Sequence, residues 1–145
     1  MPNSSNLKYL IIHSTYTREG NDINMTAPMN YSYSDIIYIN GNIESFLNNK
    51  KNRTDSWDLR HNNEDINSVS RNIAYVGGLN KDNTNAKDTR TLEQKETLEI
   101  YVKYMIKRHP NIKIAGYNQF KEKSSPGFEV DKWLQQINIK EQNIL

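Results

Sequence analysis

The chain has 145 residues, 19 Lys and Arg against 17 Asp and Glu, and no cysteine. This length suits one domain with a buried core, and the near-balanced charge argues against general attraction to nucleic acid or membranes. No apolar run approaches the roughly 20 residues that span a bilayer, and the polar start MPNSSN lacks the apolar stretch of a signal peptide. We therefore expect a single cytoplasmic domain over residues 1–145, with a flexible N-terminus at 1–6.

The first half of the chain predicts strands joined by polar loops. Residues 8–13, KYLIIH, form a short run of β-forming residues, which predicts a buried strand ending at His13. Residues 14–32 carry no helical stripe and predict a loop. Residues 33–47 hold Asn-Gly between two β-rich runs, which predicts a hairpin with a two-residue type I′ turn. Residues 48–67 form a long polar connection, a kind of segment that often carries binding groups.

The second half predicts strands and two helices. Residues 70–76 read as a strand, and residues 112–115 as another. Thr91 with Gln94 forms a capping-box pattern before a helix that ends near His109-Pro110. The apolar face of this helix carries Leu98, Val102, Met105 and Ile106.

The chain closes with a predicted helix over residues 130–137, with Trp133 and Leu134 facing inward, and a C-terminal tail at 138–145. Strands that alternate with helices are typical of α/β proteins. The predicted fold is therefore α/β, a single domain with a central mixed β-sheet flanked by helices.

Five segments in chain order carry a resemblance to a known family. They are LIIHST at 10–15, SYSDIIYINGNI at 32–43, NSVSRNIAYVGG at 67–78, DTRT at 88–91 and AGYNQFKEKSSPGF at 115–128. Together they resemble the N-acetylmuramoyl-L-alanine amidase family, whose fold is shared by amidase-type phage lysozymes and peptidoglycan recognition proteins. The resemblance runs from about Leu7 to Trp133 and implies that fold for this chain.

The resemblance also implies which positions match the zinc ligands of the family. His13 matches the first ligand, Tyr117 the second and Ser125 the third, and the last two stand eight residues apart as in the family. Catalytic zinc is held by His, Cys, Asp or Glu, and neutral Tyr and Ser are poor substitutes. We therefore expect no catalytic residue, no metal and no cofactor, and a cleft that binds rather than cleaves.

Further cleft residues follow from the same alignment of motifs. Tyr33 matches an active-site tyrosine of the family, Ser34 stands at its histidine, and Lys123 matches its catalytic lysine. We expect all three to line the former active-site cleft, together with His13, Tyr117 and Ser125.

Arg71 stands where the family has an apolar residue. In a regular strand Arg71 shares a face with Ile73 and Tyr75. A buried guanidinium must meet an acid such as Glu64 or Asp65, reach solvent, or face a ligand. In the last case Arg71 would grip an anionic ligand with paired hydrogen bonds, so we include it among the candidate ligand-binding residues.

Three functions remain open from the sequence. The first is a non-catalytic protein that holds a small anionic ligand, such as a muropeptide or a nucleotide-like signal that a virus would sequester from its host. The second is a protein-interaction module that inhibits a host protein such as RNA polymerase. The third is an amidase with an atypical zinc site, which would need His13 together with ligands such as Asp35, His61 or Glu129.

Overall fold

The computed structural model describes residues 6–21 and 31–145, in which two helices pack with a five-stranded mixed sheet. The strands, in chain order, are β1 (Tyr9–Ser14), β2 (Thr17–Arg18), β3 (Asp35–Ile37), β4 (Ile43–Ser45), β5 (Arg60–His61), β6 (Glu64–Asp65), β7 (Ser70–Tyr75), β8 (Gly78–Leu79) and β9 (Lys113–Gly116). The helices are α1 (Leu92–Arg108) and α2 (Val130–Gln136).

The main sheet has the strand order β4-β3-β7-β1-β9. Strand β7 lies at its centre, and β1 lies between β7 and β9 and runs parallel to both, while β3 runs parallel to β7 and antiparallel to β4. The predicted α/β fold with a central mixed sheet is therefore confirmed. Because β1 is inside the sheet, its continuous apolar run is buried on both faces, as is typical of parallel strands.

The two faces of the sheet have different coverings. Leu10 and Ile12 of β1 belong to the main core cluster, together with Leu98 and Val102 of α1. Ile11, one residue out of phase, packs in a second cluster with loop residues on the other face. Alternation along β1 thus directs His13 to the face that carries no long helix, which leaves room there for a cleft.

Helix α1 begins as its sequence predicts. The Thr91 hydroxyl accepts a hydrogen bond from the Gln94 backbone N–H at 3.1 Å, and the Gln94 side chain accepts from the Thr91 N–H at 2.9 Å. The Gln94 amide also donates to the backbone carbonyls of Ile37 and Val76, at 3.2 and 3.0 Å. The capping box therefore fixes the start of α1 onto β3 and the end of β7.

The hairpin between β3 and β4 is present, but its predicted two-residue type I′ turn is wrong. That turn requires positive φ at both central residues, and only Gly41 of the Asn40-Gly41 pair has it, with φ 89°. The loop closes instead through Tyr38, whose N–H donates to the Asn42 carbonyl at 2.8 Å. Thr97 of α1 donates to the Gly41 carbonyl at 2.7 Å, so packing against the helix sets the longer loop.

Segments predicted as loops hold short elements. Within the predicted loop 14–32, β2 pairs in parallel with β8, and residues 22–30 lie outside the described part. The polar connection 48–67 contains a 3-10 turn at Thr54–Trp57 and the two-stranded β5-β6 ladder. Elements of two residues leave too little periodicity for a sequence pattern to reveal.

The C-terminal tail packs along the edge of the sheet. The Leu145 N–H donates to the Ile114 carbonyl at 3.0 Å, and the buried Asn143 amide donates to the carbonyls of Pro110 and Ile112, both at 2.8 Å. The outer edge of β9 is thereby covered. In the described residues, neither helix has the length and apolar character that crossing a bilayer demands.

Candidate functional site

The candidate site is a cleft of about 400 Å³ at the carboxyl end of β1. Strand β1, the 3-10 turn before Asp58 and the loop after β9 all contribute to its walls. Five of the seven predicted site residues line it, namely His13, Tyr33, Tyr117, Lys123 and Ser125. It is completed by Ser14, Tyr16, Trp57, Glu122 and Ser124.

His13 lies at the inner end of the cleft and is 1% exposed. Its Nε2 lies 2.8 Å from the side-chain oxygen of Asn72 on the neighbouring strand β7. Burial lowers the pKa of His13 to about 4, although the hydrogen bond with Asn72 opposes this shift. His13 is therefore a neutral imidazole at physiological pH, held by one ring nitrogen.

Three aromatic rings surround the imidazole of His13, and we call them the aromatic box. Tyr117 stacks on it with centroids 4.7 Å apart and an interplanar angle of 28°. Trp57 lies at 4.5 Å, and Tyr33 meets it edge-on at 5.5 Å. Two members are also anchored by hydrogen bonds, because Tyr33 donates to the Ser14 carbonyl at 3.2 Å and the Trp57 indole donates to the Ser32 carbonyl.

Ser34 lies behind the cleft and does not line it. Its N–H donates to the Asn72 carbonyl at 2.7 Å, and its hydroxyl accepts from the Asn72 N–H at 3.0 Å. Ser34 is 1% exposed. It therefore joins the segment before β3 to β7 at Asn72, the residue that meets His13.

The loop that carries Ser125 is tied to β1 and to the core. The Ser125 hydroxyl accepts hydrogen bonds from the Ser14 N–H at 2.8 Å and from the Ser14 hydroxyl at 3.4 Å. Tyr75 of β7 donates to the Pro126 carbonyl at 2.6 Å. At Gly127, with φ 90°, a Cβ would lie 2.7 Å from the Lys87 carbonyl oxygen, so the loop approaches as closely as glycine allows.

Arg90 stacks on two aromatic rings and packs against the same loop. Arg90 forms a two-pronged ion pair with Asp88, with both N–O distances 2.9 Å, and its guanidinium lies 3.5 Å from the centroid of Phe128 and 5.0 Å from that of Trp133. The Arg90 side chain is only 5% exposed. The motif DTRT at 88–91, which contains Arg90, was recognised in the sequence. The contact between Arg90 and Phe128 was not predicted, because the spacing of the residues does not show it.

Arg71 lies on the opposite face of the sheet, away from the cleft. Its Nη1 lies 3.6 Å from the sulfur of Met105 on α1, and its charge acts on Asp35 and Tyr101. Tyr101 donates to the Asp35 carboxylate at 2.6 Å. As predicted, Arg71 shares a face of the sheet with Ile73 and Tyr75, and this face packs against α1. The neighbouring acid is Asp35, and not Glu64 or Asp65.

The charge of the cleft is consequently small. Among the described residues that line it, Lys123 is the one full cation, and the neighbouring Glu122 carries the opposite charge. Lys121 lies 3.6 Å from Asp58 at the rim. The cleft is therefore defined by aromatic faces and hydroxyl groups more than by charge.

The residues at the three matched ligand positions do not fit a zinc ion. His13 keeps Nδ1 available, since only its Nε2 is bonded to Asn72, but the Ser125 hydroxyl is neutral and already accepts from Ser14. Burial raises the pKa of Tyr117, with a smaller contribution from Asp58, so its phenol stays protonated. Zinc in proteins is bound by imidazole, thiolate or carboxylate, and within residues 6–21 and 31–145 no three such groups are placed to share an ion.

Two contributors to the site were missed at the sequence level. Trp57 lies in the predicted polar connection, and an aromatic residue in so polar a segment was the available signal. Asn72 is a buried polar side chain in a strand, and its Nδ2 has no partner among the described residues. Its role follows from its cross-strand neighbours, which the sequence does not give.

Solved structures with a similar fold are known, although sequence comparisons find no relative. No protein-family model matches the chain, and no curated protein matches its sequence. Among solved structures, the endolysin N-acetylmuramoyl-L-alanine amidase LysCS from Clostridium intestinale URNW matches with a TM-score of 0.63 and 16% identity, over 94% of this chain and 87% of that one. Drosophila peptidoglycan recognition protein SA matches with a TM-score of 0.60 and 15% identity, over 97% and 82%.

A third similar structure is tracheal cytotoxin bound to the ectodomain complex of the peptidoglycan recognition proteins LCa and LCx. It matches with a TM-score of 0.59 and 16% identity, over 100% of this chain and 89% of that one. The chain therefore has the fold of N-acetylmuramoyl-L-alanine amidases and peptidoglycan recognition proteins, as its motifs predict.

Proposed function

We propose that this protein is a non-catalytic binding protein that holds a small molecule in the cleft at the end of β1 and releases it unchanged. The observation that carries this proposal is the aromatic box around His13. A hydrolase of this fold would need that space for a metal and an attacking water. Here Tyr117 stacks on His13 and Ser125 supplies a neutral hydroxyl, so the cleft offers surfaces for binding but no activated nucleophile.

The lining of the cleft indicates the chemistry of the ligand. Tyr16, Trp57 and Tyr117 offer aromatic faces to a sugar ring or a base, Ser124 and Ser125 offer hydroxyls, and Lys123 offers one cation. A muropeptide, with sugar rings and a carboxylate, combines these features. Tracheal cytotoxin is bound by proteins of the same fold, which supports this class of ligand.

A cyclic nucleotide is the second candidate, and one observation favours it. Lys123 lies beside exposed aromatic surface, and a base with a phosphate would use both. The placement of Arg71 under α1 removes the second cation that a strongly anionic ligand would need. We therefore rank the muropeptide first.

Thermal unfolding in a chelator-containing buffer tests the proposal. A ligand present at 100 times its Kd should raise the free energy of unfolding by about 2.7 kcal/mol. The panel would contain an N-acetylmuramoyl dipeptide and a cyclic dinucleotide, each recovered afterwards and checked for cleavage by mass spectrometry. We expect the muropeptide to stabilise the protein and to be recovered intact.

Tyr117→Ala provides the matched variant for this experiment. Loss of a stacked ring should weaken binding about threefold to tenfold, since aromatic pairs contribute about 0.5–1.5 kcal/mol. Tyr104→Ala is the control, because Tyr104 is exposed on α1 and outside the cleft. Stabilisation by neither compound, with a host protein that instead binds through the α1 surface, would replace this proposal with the protein-interaction function.

A further inference from the structure

Two of the polar residues that line the cleft, His13 and Ser125, lie close to each other in the fold. Both lie where β1 ends, because the Ser125 hydroxyl is bonded to Ser14, the residue that follows His13. Their hydrogen-bonding roles follow from the partners they already have.

His13 offers an acceptor. The Asn72 side-chain oxygen that faces Nε2 can only accept, so the hydrogen of the neutral ring must lie on Nε2. A neutral imidazole carries one hydrogen, which leaves Nδ1 with a free lone pair. Since Nε2 is occupied, Nδ1 is the ring nitrogen with which His13 can meet a molecule in the cleft.

Ser125 offers a donor. Its oxygen accepts from the Ser14 N–H at 2.8 Å and from the Ser14 hydroxyl at 3.4 Å. A hydroxyl has two lone pairs and one hydrogen. With both lone pairs occupied, the hydrogen of Ser125 remains to be donated to a ligand.

We propose that this end of the cleft recognises an amide-type edge, with His13 Nδ1 accepting from an N–H of the ligand while the Ser125 hydroxyl donates to the adjacent carbonyl. The inference rests on the proposed binding function and specifies the chemical group that the cleft selects. Peptide amides, N-acetyl groups, lactams and the imide edge of a nucleobase all carry this pair. Asn72 acts as a positioning residue, because it fixes the tautomer of His13 without contacting the ligand.

The tautomer can be measured in the free protein. Two-bond proton–nitrogen NMR spectra of the histidine ring show which nitrogen is protonated, and we expect the hydrogen of His13 on Nε2 at pH 7. A hydrogen on Nδ1 would overturn the proposal, because His13 would then present a donor to the cleft.

A pair of fragments tests recognition without knowledge of the natural ligand. 2-Pyrrolidinone carries the N–H and carbonyl edge, and its N-methyl derivative lacks the N–H. We expect 2-pyrrolidinone to perturb the Nδ1 resonance of His13 and to bind about tenfold more tightly than N-methyl-2-pyrrolidinone. Equal affinities, or no saturable binding of either fragment, would refute the proposed edge.

Ser125→Ala should weaken 2-pyrrolidinone about fivefold to tenfold, with Ser68→Ala as the control at an exposed serine outside the cleft. Unchanged affinity of Ser125→Ala for 2-pyrrolidinone would show that Ser125 does not donate to the carbonyl of the ligand. The fragment experiment and the muropeptide experiment can fail independently of each other. Fragment discrimination without muropeptide or nucleotide binding would retain the amide edge and reject the proposed ligands, while ligand binding with equal fragment affinities would do the reverse.

Discussion

The imidazole of His13 is buried at the end of β1 and enclosed by three aromatic rings. Its position at the end of β1 could be predicted from the sequence, and the resemblance matches it, with Tyr117 and Ser125, to the zinc-ligand positions of the family. The sequence does not reveal that the Tyr117 ring turns onto His13, because that contact depends on the path of the loop after β9.

The buried state of His13 predicts a pH-dependent stability. Its pKa is about 4 in the folded protein and near 6.5 when unfolded, so the unfolded chain binds more protons between these values. Stability from His13 is therefore complete above about pH 6.5 and falls as the pH drops toward 4, by up to about 3 kcal/mol. Urea denaturation from pH 7.5 to 4 should show this loss in the wild type and lack it in His13→Gln.

A matched change at His61, which is partly exposed and outside the cleft, provides the control. His61→Gln should retain the loss of stability seen in the wild type. Identical pH profiles for the wild type and His13→Gln would contradict the assignment of His13 as a buried neutral imidazole.

At the scale of elements, consecutive residues of strand β7 lie on opposite faces of the sheet and have different roles. Asn72 faces the cleft side and meets His13, whereas Arg71, one residue earlier, lies under α1 beside Asp35. The strand and its alternation were predictable from the sequence, because SRNIAYV has a clear β-forming pattern. The sequence did not predict which face of the sheet carries the cleft, because that depends on where α1 packs.

Arg71→Met is therefore expected to alter stability and not binding. Removal of the guanidinium leaves the buried Asp35 carboxylate with Tyr101 but without its nearby cation, which should cost about 1–3 kcal/mol. Chemical denaturation would measure this loss, and calorimetry should give a muropeptide Kd within twofold of the wild-type value.

Lys123→Ala is the complementary variant, because Lys123 lines the cleft. It should leave the midpoint of unfolding unchanged and weaken the muropeptide by up to about fivefold, as expected for a partly exposed charge pair worth at most about 1 kcal/mol. A tenfold loss of affinity in Arg71→Met would instead return Arg71 to the binding site.

The loop that carries Ser125 depends on contacts from β7 as well as from β1. Tyr75 donates to the Pro126 carbonyl, and Tyr75→Phe removes that hydrogen bond while keeping the ring. We expect the free energy of unfolding to fall by about 1–2 kcal/mol and 2-pyrrolidinone to bind more weakly, since Ser125 loses part of its support. Tyr104→Phe, at an exposed position, should change neither quantity, and the same result for Tyr75→Phe would contradict the proposed support.

For the whole molecule, the fold matches that of LysCS with a TM-score of 0.63 at 16% identity. The core could be predicted, because Leu10, Ile12, Leu98 and Val102 follow the periodicities of a buried strand and an amphipathic helix. The cleft could be predicted only in part. Trp57 lines it, and Asn72 supports His13 behind it, through contacts between segments distant in sequence, which no local pattern encodes.

We expect a ligand bound in the cleft to be released uncleaved. The most direct measurement is incubation of the protein in excess over an N-acetylmuramoyl dipeptide, with and without added zinc, followed by calorimetry and mass spectrometry of the recovered compound. We predict saturable binding that a chelator leaves unchanged, with the dipeptide recovered whole in both conditions. Zinc-dependent release of the peptide from the sugar would contradict the account.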